Sequence, residues 1–145
     1  LKEGDMVDAI AVTQGYGFQG RVKRMGVKLL SHKNSKRRRN IGTQGAWHPN
    51  WVTSTIPQTG QHGYQQRTEY NKRVLKVGEN GQEITPRGGF PHYGIVRNKY
   101  VLFHGSLPGP AKRLIRFRDA IRYTTGVAIE KPQISYVSTQ SKQGA

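Results

Sequence analysis

The sequence predicts an all-β domain, a barrel or a sandwich, carrying one long irregular extension. Short runs rich in Val, Ile, Tyr and Phe alternate with Gly/Pro turns along the chain. No amphipathic segment persists beyond three helical turns. One stretch, residues 30–64, follows neither a period of 2 nor one of 3.6, yet it holds both tryptophans, Trp47 and Trp51. A loop longer than about 15 residues is unusual in a compact domain and is commonly functional or disordered. Two tryptophans argue against plain disorder, and an extension that orders against an anionic partner is expected.

Residues 6–13 (MVDAIAVT) are β-branched and apolar, and read as a buried strand. Residues 15–22 (GYGFQGRV) fit the G-x-G-x-x-G pattern and the longer glycine-loop pattern of kinases. A dinucleotide site needs a helix after the glycines and an acid about 20 residues on. Gly26 interrupts the following segment, and no acid follows at that distance. The kinase reading lacks V-A-I-K, H-R-D and D-F-G. The segment is therefore read as a strand, a glycine turn and a returning strand, 18–25, bearing Arg21, Lys23 and Arg24. Beyond the extension, residues 64–77 fit either a helix or a strand, and Val74, Leu75, Val77 and the Thr68/Tyr70 alternation tilt the reading to strand. Residues 78–82 form a turn and 84–94 a Pro/Gly-rich loop. Residues 93–96 (YGIV) and 100–103 (YVLF) flank Arg-Asn-Lys as a hairpin. A second Pro/Gly turn (106–112) leads to 113–122, which sets Leu114, Arg116 and Arg118 on one side and Ile115, Phe117 and Asp119 on the other. Residues 134–137 (ISYV) read as a last strand. The domain reading is a barrel from 1–30 and 64–138, an inserted basic extension at 31–63, and a flexible tail at 139–145. The chain has no initiator Met and enters a strand almost at once, so it reads as a fragment of a longer one.

The composition points to a polyanion. There are 24 Lys and Arg against 8 Asp and Glu, a net charge of +16 in 145 residues. Hydrophobic residues are 34%, so the core is small for the surface. The absence of cysteine excludes disulfides and thiolate metal sites, and allows a reducing compartment. No apolar run approaches the roughly 18 residues of a spanning helix, and no membrane partner is expected. No acid lies between residues 9 and 68, which removes paired-carboxylate chemistry from the most distinctive stretch. The five histidines are never closer than 12 residues, so no zinc-type pair exists. There is no G-x-S-x-G elbow. No cofactor, metal, small-molecule substrate or catalytic residue is expected.

The same 60 residues carry Arg21, Lys23, Arg24, Lys28, Lys33, Lys36, Arg37, Arg38, Arg39 and Arg67. Such a field binds phosphate by counterion release, and arginine adds fork geometry and base stacking. Gly42, Gly45, Gly60 and Gly63 let backbone pass close to another surface, and Pro49 and Pro57 stiffen the path. Arg116 and Arg118 are either a solvated edge or phosphate contacts. Trp47 is open to two readings. As core it closes a small cluster with Trp51 and Ile56, which sequence physics alone favours. As a tip it stacks on nucleotides. With no recognition helix or zinc finger, folded RNA read through backbone and shape fits better than base-specific DNA readout.

The segments DAIAVTQGYGFQG, IGTQGAWHPNWV, GQHGYQQRTEYNKR, GGFPHYG and GSLPGPAKRLIRFR closely resemble the ribosomal protein L3 family in its archaeal and eukaryotic form, and cover most of the chain. The resemblance implies a small β-barrel like that of the translation elongation factors, with extensions reaching into rRNA. It implies a non-catalytic, cytoplasmic constituent of the large ribosomal subunit that binds large-subunit rRNA, supports early assembly and touches neighbours such as ribosomal protein L14. The loop containing GAWHP would be the family's tryptophan finger. Its tip, Trp47, would lie toward the peptidyl transferase region and bear indirectly on the arrival of aminoacyl-tRNA. Trp51 is expected to pack and stiffen the finger. Family members run longer, and the approach SHKNSK departs from their pattern. Charge and resemblance together add His48, Gln61, His62, Tyr64, Lys112 and Arg113 to the expected RNA contacts, alongside the ten cations, Trp47, Arg116 and Arg118. The rival readings are a basic β-barrel RNA-processing enzyme and a non-ribosomal RNA chaperone.

Overall fold

Strand β1, Met6–Val12, forms because alternate apolar residues find cover: Val7, Ala9 and Ala11 are buried at 1%, 0% and 6% exposure. The computed structural model describes residues 1–34, 36–122, 130 and 132–143. Contacts divide the chain into two compact units, Leu1–Gln14 with Gln65–Ala145, and Gly15–Tyr64.

The first unit is a four-stranded antiparallel sheet. Its strands are β1, β4 (Gln66–Gly78), β5 (Tyr100–Phe103) and β6 (Arg116–Asp119), in the order β5–β4–β1–β6. Two short strands of the second unit, β2 (Phe18–Gln19) and β3 (Gly60–Gln61), pair with each other. Strand β4 serves two partners: residues 66–73 face β1, and 74–78 face β5. Val7 opposes Lys72 but Ala9 opposes Glu69, so Asp8 sits across from both Tyr70 and Asn71. That is a bulge, with Asn71 at φ 54, a backbone region asparagine tolerates better than most residues. A second irregularity lies between Val74 and Lys76. The outer strands of a flat four-stranded sheet would lie about 14 Å apart. Here Phe103 of β5 and Phe117 of β6 stack at 4.7 Å, so the sheet is strongly curled. Val74, Ile84 and Tyr100 complete the small core.

The all-β class is observed. Among the described residues the sheet is open: no ladder joins β5 to β6 to close a barrel. Three expected strands are corrected. Residues 21–25 are not a returning strand but a single helical turn, α1 (Arg21–Met25), ended by Gly26 in the left-handed conformation at φ 66. The ladder that Phe18–Gln19 joins ends with its short partner, and the chain then coils locally. Residues 93–96 make no hairpin with β5, which pairs with β4 instead. Only a Phe90–Gly94 bridge occurs there. The Val96 N–H donates to Thr85 Oγ1 (3.3 Å), and Val96 packs on Gly81, so this segment covers the turn at 81–85. Residues 134–137 form no strand, and Tyr136 is 74% exposed. From the last stretch, Thr139 C=O accepts from Arg87 N–H (3.0 Å), and the Gln143 side-chain amide donates to Gly88 C=O. Ser35 of the extension and Gly144 and Ala145 of the tail lie outside the described residues.

Candidate nucleic-acid interface

The second unit is built on a narrow neck. Phe18 pairs with Gln61 and Gln19 with Gly60. The ladder continues as Tyr16 N–H donates to His62 C=O and His62 N–H to Gly17 C=O, both at 2.9 Å. The Tyr16 and His62 rings meet at 5.1 Å. α1 delivers Arg24 to the same neck, where its Nε donates to Gln61 C=O and its Nη1 to Gln58 C=O, each at 3.0 Å. Gly60 leaves room for that guanidinium, which a β-carbon would approach to 3.2 Å. Arg24, expected on RNA, therefore spends two of its donors clamping the neck.

Beyond the neck lies a loop closed by a reciprocal pair. Leu30 N–H donates to Arg38 C=O (3.0 Å), and Arg38 Nε donates to Leu30 C=O (3.2 Å). The 3-10 turn at His32–Asn34 fills the loop. Lys36, Arg37, Arg38 and Arg39 line a depression of about 430 Å³ with Leu29 and Asn40. Lys23, Lys28, Lys33, Lys36, Arg37, Arg38 and Arg39 are exposed, while Arg21 is half-buried. Since Gly15–Tyr64 holds nine Lys and Arg and no acid, none of these charges is neutralised within the unit. Trp47 is 87% exposed, which rules out its small core with Trp51 and Ile56. His48, next to it, is exposed and precedes a cis proline. Trp51, expected to pack, is 67% exposed. It borders a shallow depression of about 240 Å³ with Gln44, Gly45, Ala46, Asn50 and Val52. Among the described residues of this unit no side chain is fully buried, and its isoleucines, Ile41 and Ile56, are half-buried. Tyr64 is 62% exposed, Gln61 is exposed and His62 half-buried.

The remaining expected contacts belong to the first unit. Arg67 is exposed, and its Nη1 donates to Gln66 C=O (2.8 Å). Lys112 and Arg116 are exposed, and Arg113 is half-buried. Arg118 is committed internally, because its Nε donates to Asp8 Oδ2 at 3.1 Å. Asp8 has no exposed surface, and its Oδ1 and Oδ2 also accept from Asn71 N–H (3.1 Å) and Ile121 N–H (3.3 Å). Burial pushes its carboxyl up, but those two amides and the Arg118 guanidinium outweigh burial and hold it below the usual aspartate range.

Two exposed groups escaped the sequence reading. Arg122 lies with its guanidinium over the Tyr70 ring at 3.9 Å. It lies four residues beyond Arg118 in the turn after β6, past Ala120, so the alternation of Arg116 and Arg118 does not reach it. Phe18 is 76% exposed, and nothing in GYGFQG distinguishes it from a core aromatic. Among the described residues no three metal-ligating side chains gather, and no helix is long and apolar enough to cross a membrane.

The family model for ribosomal protein L3 matches residues 1–144. The chain is 58% identical to the large ribosomal subunit protein uL3 of Archaeoglobus fulgidus over 144 residues, 98% of this chain and 43% of that protein. It is 55% identical to the uL3 protein of Methanocaldococcus jannaschii over 146 residues, 99% of this chain and 43% of that one. Against the uL3 protein of Picrophilus torridus identity is 57% over 145 residues, 99% of this chain and 44% of that protein. The chain thus spans less than half the length of these relatives.

Proposed function

The chain belongs to the ribosomal protein L3 family, and from that premise we propose that it is a structural, non-catalytic part of the large ribosomal subunit in the cytoplasm, holding rRNA through phosphate contacts. One observation carries the reading: the Gly15–Tyr64 unit presents nine cations, no acid and two exposed indoles. A stable fold has little use for such a surface alone, whereas RNA neutralises the charge and offers bases to the rings. In this reading Lys23, Lys28, Lys33, Lys36, Arg37 and Arg39 hold phosphates, and Arg24 and Arg38 chiefly shape the loop that carries them. Trp47 is the tip of the finger directed toward the peptidyl transferase region, where its packing bears on the arrival of aminoacyl-tRNA. The curled sheet is this segment's share of an elongation-factor-like barrel, and supports assembly beside neighbours such as ribosomal protein L14.

The test is sedimentation of the tagged chain, expressed in archaeal cells, with large subunits through a high-salt wash. Retention in the large-subunit peak is expected. Release into the light fractions, with RNA binding intact in a separate assay, would replace this reading by that of an RNA chaperone. RNA turnover by the purified chain, with or without divalent metal, would replace it by that of a processing enzyme.

A further inference from the structure

The cluster around Tyr70 in the first unit combines features that a simple ion pair does not need. Asp8, at 0% exposure, holds Arg118 Nε at 3.1 Å, yet the Arg118 side chain keeps 41% of its surface in solvent. The Arg118 guanidinium carbon lies 5.9 Å from the centre of the Tyr70 ring, and that of Arg122 lies 3.9 Å from it. Asn71 ties the arrangement together. Its N–H donates to Asp8, and its side-chain amide donates to the Arg122 carbonyl at 3.4 Å. Two guanidiniums are thus gathered on one aromatic ring by residues of β1, β4, β6 and the turn that follows. Asp8 balances one of the two charges. Among the described residues no carboxylate pairs with Arg122. Glu69 is taken by Lys72, and Asp119 alternates to the other side of β6 from Arg118.

We propose that Tyr70, Arg118 and Arg122 form a preorganised site for one RNA backbone phosphate, separate from the basic extension. The site rests on the RNA-binding reading above and adds a location to it. A guanidinium over a ring face keeps its in-plane N–H edge for a second partner, and that edge matches two phosphate oxygens. Ordering a long side chain is a main cost of such a contact, and here stacking on Tyr70 holds the Arg122 side chain before RNA arrives, while the Asn71 bond holds its backbone carbonyl. Asp8 and Tyr70 are positioning residues, and Arg122 and the outer end of Arg118 are the ligand-facing groups.

Binding of the full chain to a short mixed-sequence RNA duplex, measured across a salt series, tests the site. The variants are Arg122→Gln, Arg122→Lys and Arg97→Gln. Arg97 is another exposed arginine of the same unit, outside the cluster. We expect Arg122→Gln to weaken binding about tenfold, as loss of a charge-assisted contact does. It should also lower the salt slope by about 0.9, the share of one phosphate. Arg122→Lys keeps the charge and loses the fork, so the slope should stay while affinity falls several-fold. Arg97→Gln should lose less than Arg122→Gln. Equal losses at positions 97 and 122 would mean that only net charge matters and would overturn the site while leaving RNA binding in place. Wild-type binding at full strength in Arg122→Lys would overturn the fork geometry. A flat salt dependence of the wild-type chain would remove the RNA-binding reading and the site with it.

Discussion

At the scale of single residues, Asp8 and Trp47 make opposite cases. Asp8 looks like a blemish in an apolar strand, but it is the residue that fixes the bulge, through Asn71, and the end of β6, through Arg118 and Ile121. Its folded pKa lies below the usual value, so its stabilisation is complete above about pH 5 and is lost as acid protonates it below about pH 4. Asp8→Asn replaces one carboxylate oxygen by an N–H₂ that faces either the Asn71 N–H or the Arg118 and Ile121 donors, and should cost about 1–3 kcal/mol at neutral pH. It should also flatten the acid limb of stability. Denaturant titrations at pH 7 and pH 3 would measure both, and unchanged acid sensitivity in the variant would assign that limb to other carboxylates. Trp47, at 87% exposure, should behave in the reverse way. Trp47→Ala is expected to shift the unfolding free energy by less than about 0.5 kcal/mol. Ribosomes carrying it should nonetheless translate less well. A lost thermal transition would return Trp47 to a core.

At the scale of elements, close approaches decide what is tolerated. A β-carbon on Gly81 would come within 2.3 Å of Val96 Cγ1 and 2.6 Å of the Val96 carbonyl oxygen, and backbone there has no room to give. Gly81→Ala should cost about 1–3 kcal/mol by overpacking. Gly20→Ala, with nothing within 4 Å, should be nearly neutral, and paired thermal melts would separate the two. The Gly81–Val96 contact also explains why part of the fold was illegible. β1 could be read because burial imposes its pattern along the strand itself, and β4 because its valines and the Thr68/Tyr70 alternation favour a strand. The 93–103 hairpin looked right locally, but Tyr100 lies against Gly78 and Val96 against Gly81, and those contacts belong to tertiary packing. α1 was missed for a related reason, because the strand before it ends at Gln19, opposite the start of β3 some forty residues on. In the site, the acid-free stretch was visible in sequence. The internal hydrogen bonds of Arg24, Arg38 and Arg118 were not, since charge pattern alone does not say which arginines also bond to the protein itself.

At the scale of the whole chain, charge and core are distributed unequally. Among the described residues, the unit Leu1–Gln14 with Gln65–Ala145 contains every residue of the buried hydrophobic core, and the Gly15–Tyr64 unit contains none. Segments with few buried apolar contacts open locally at low free energy. Backbone amides of residues 27–59 should therefore exchange with solvent orders of magnitude faster than those of β1 and β4, and RNA should slow them selectively. The cost of that ordering is set against counterion release from nine unneutralised cations, so affinity must depend steeply on salt. If about 6–10 phosphates are contacted, affinity for an rRNA fragment should fall by roughly three to five decades between 50 and 200 mM salt. Hydrogen exchange measured along the same series should lose its RNA-dependent protection at the salt where binding fails. Protection that persists after the RNA has dissociated would show that the extension is ordered by the protein alone. In that case the exposed indoles and the basic loop would form a rigid, preformed surface instead of one assembled on RNA.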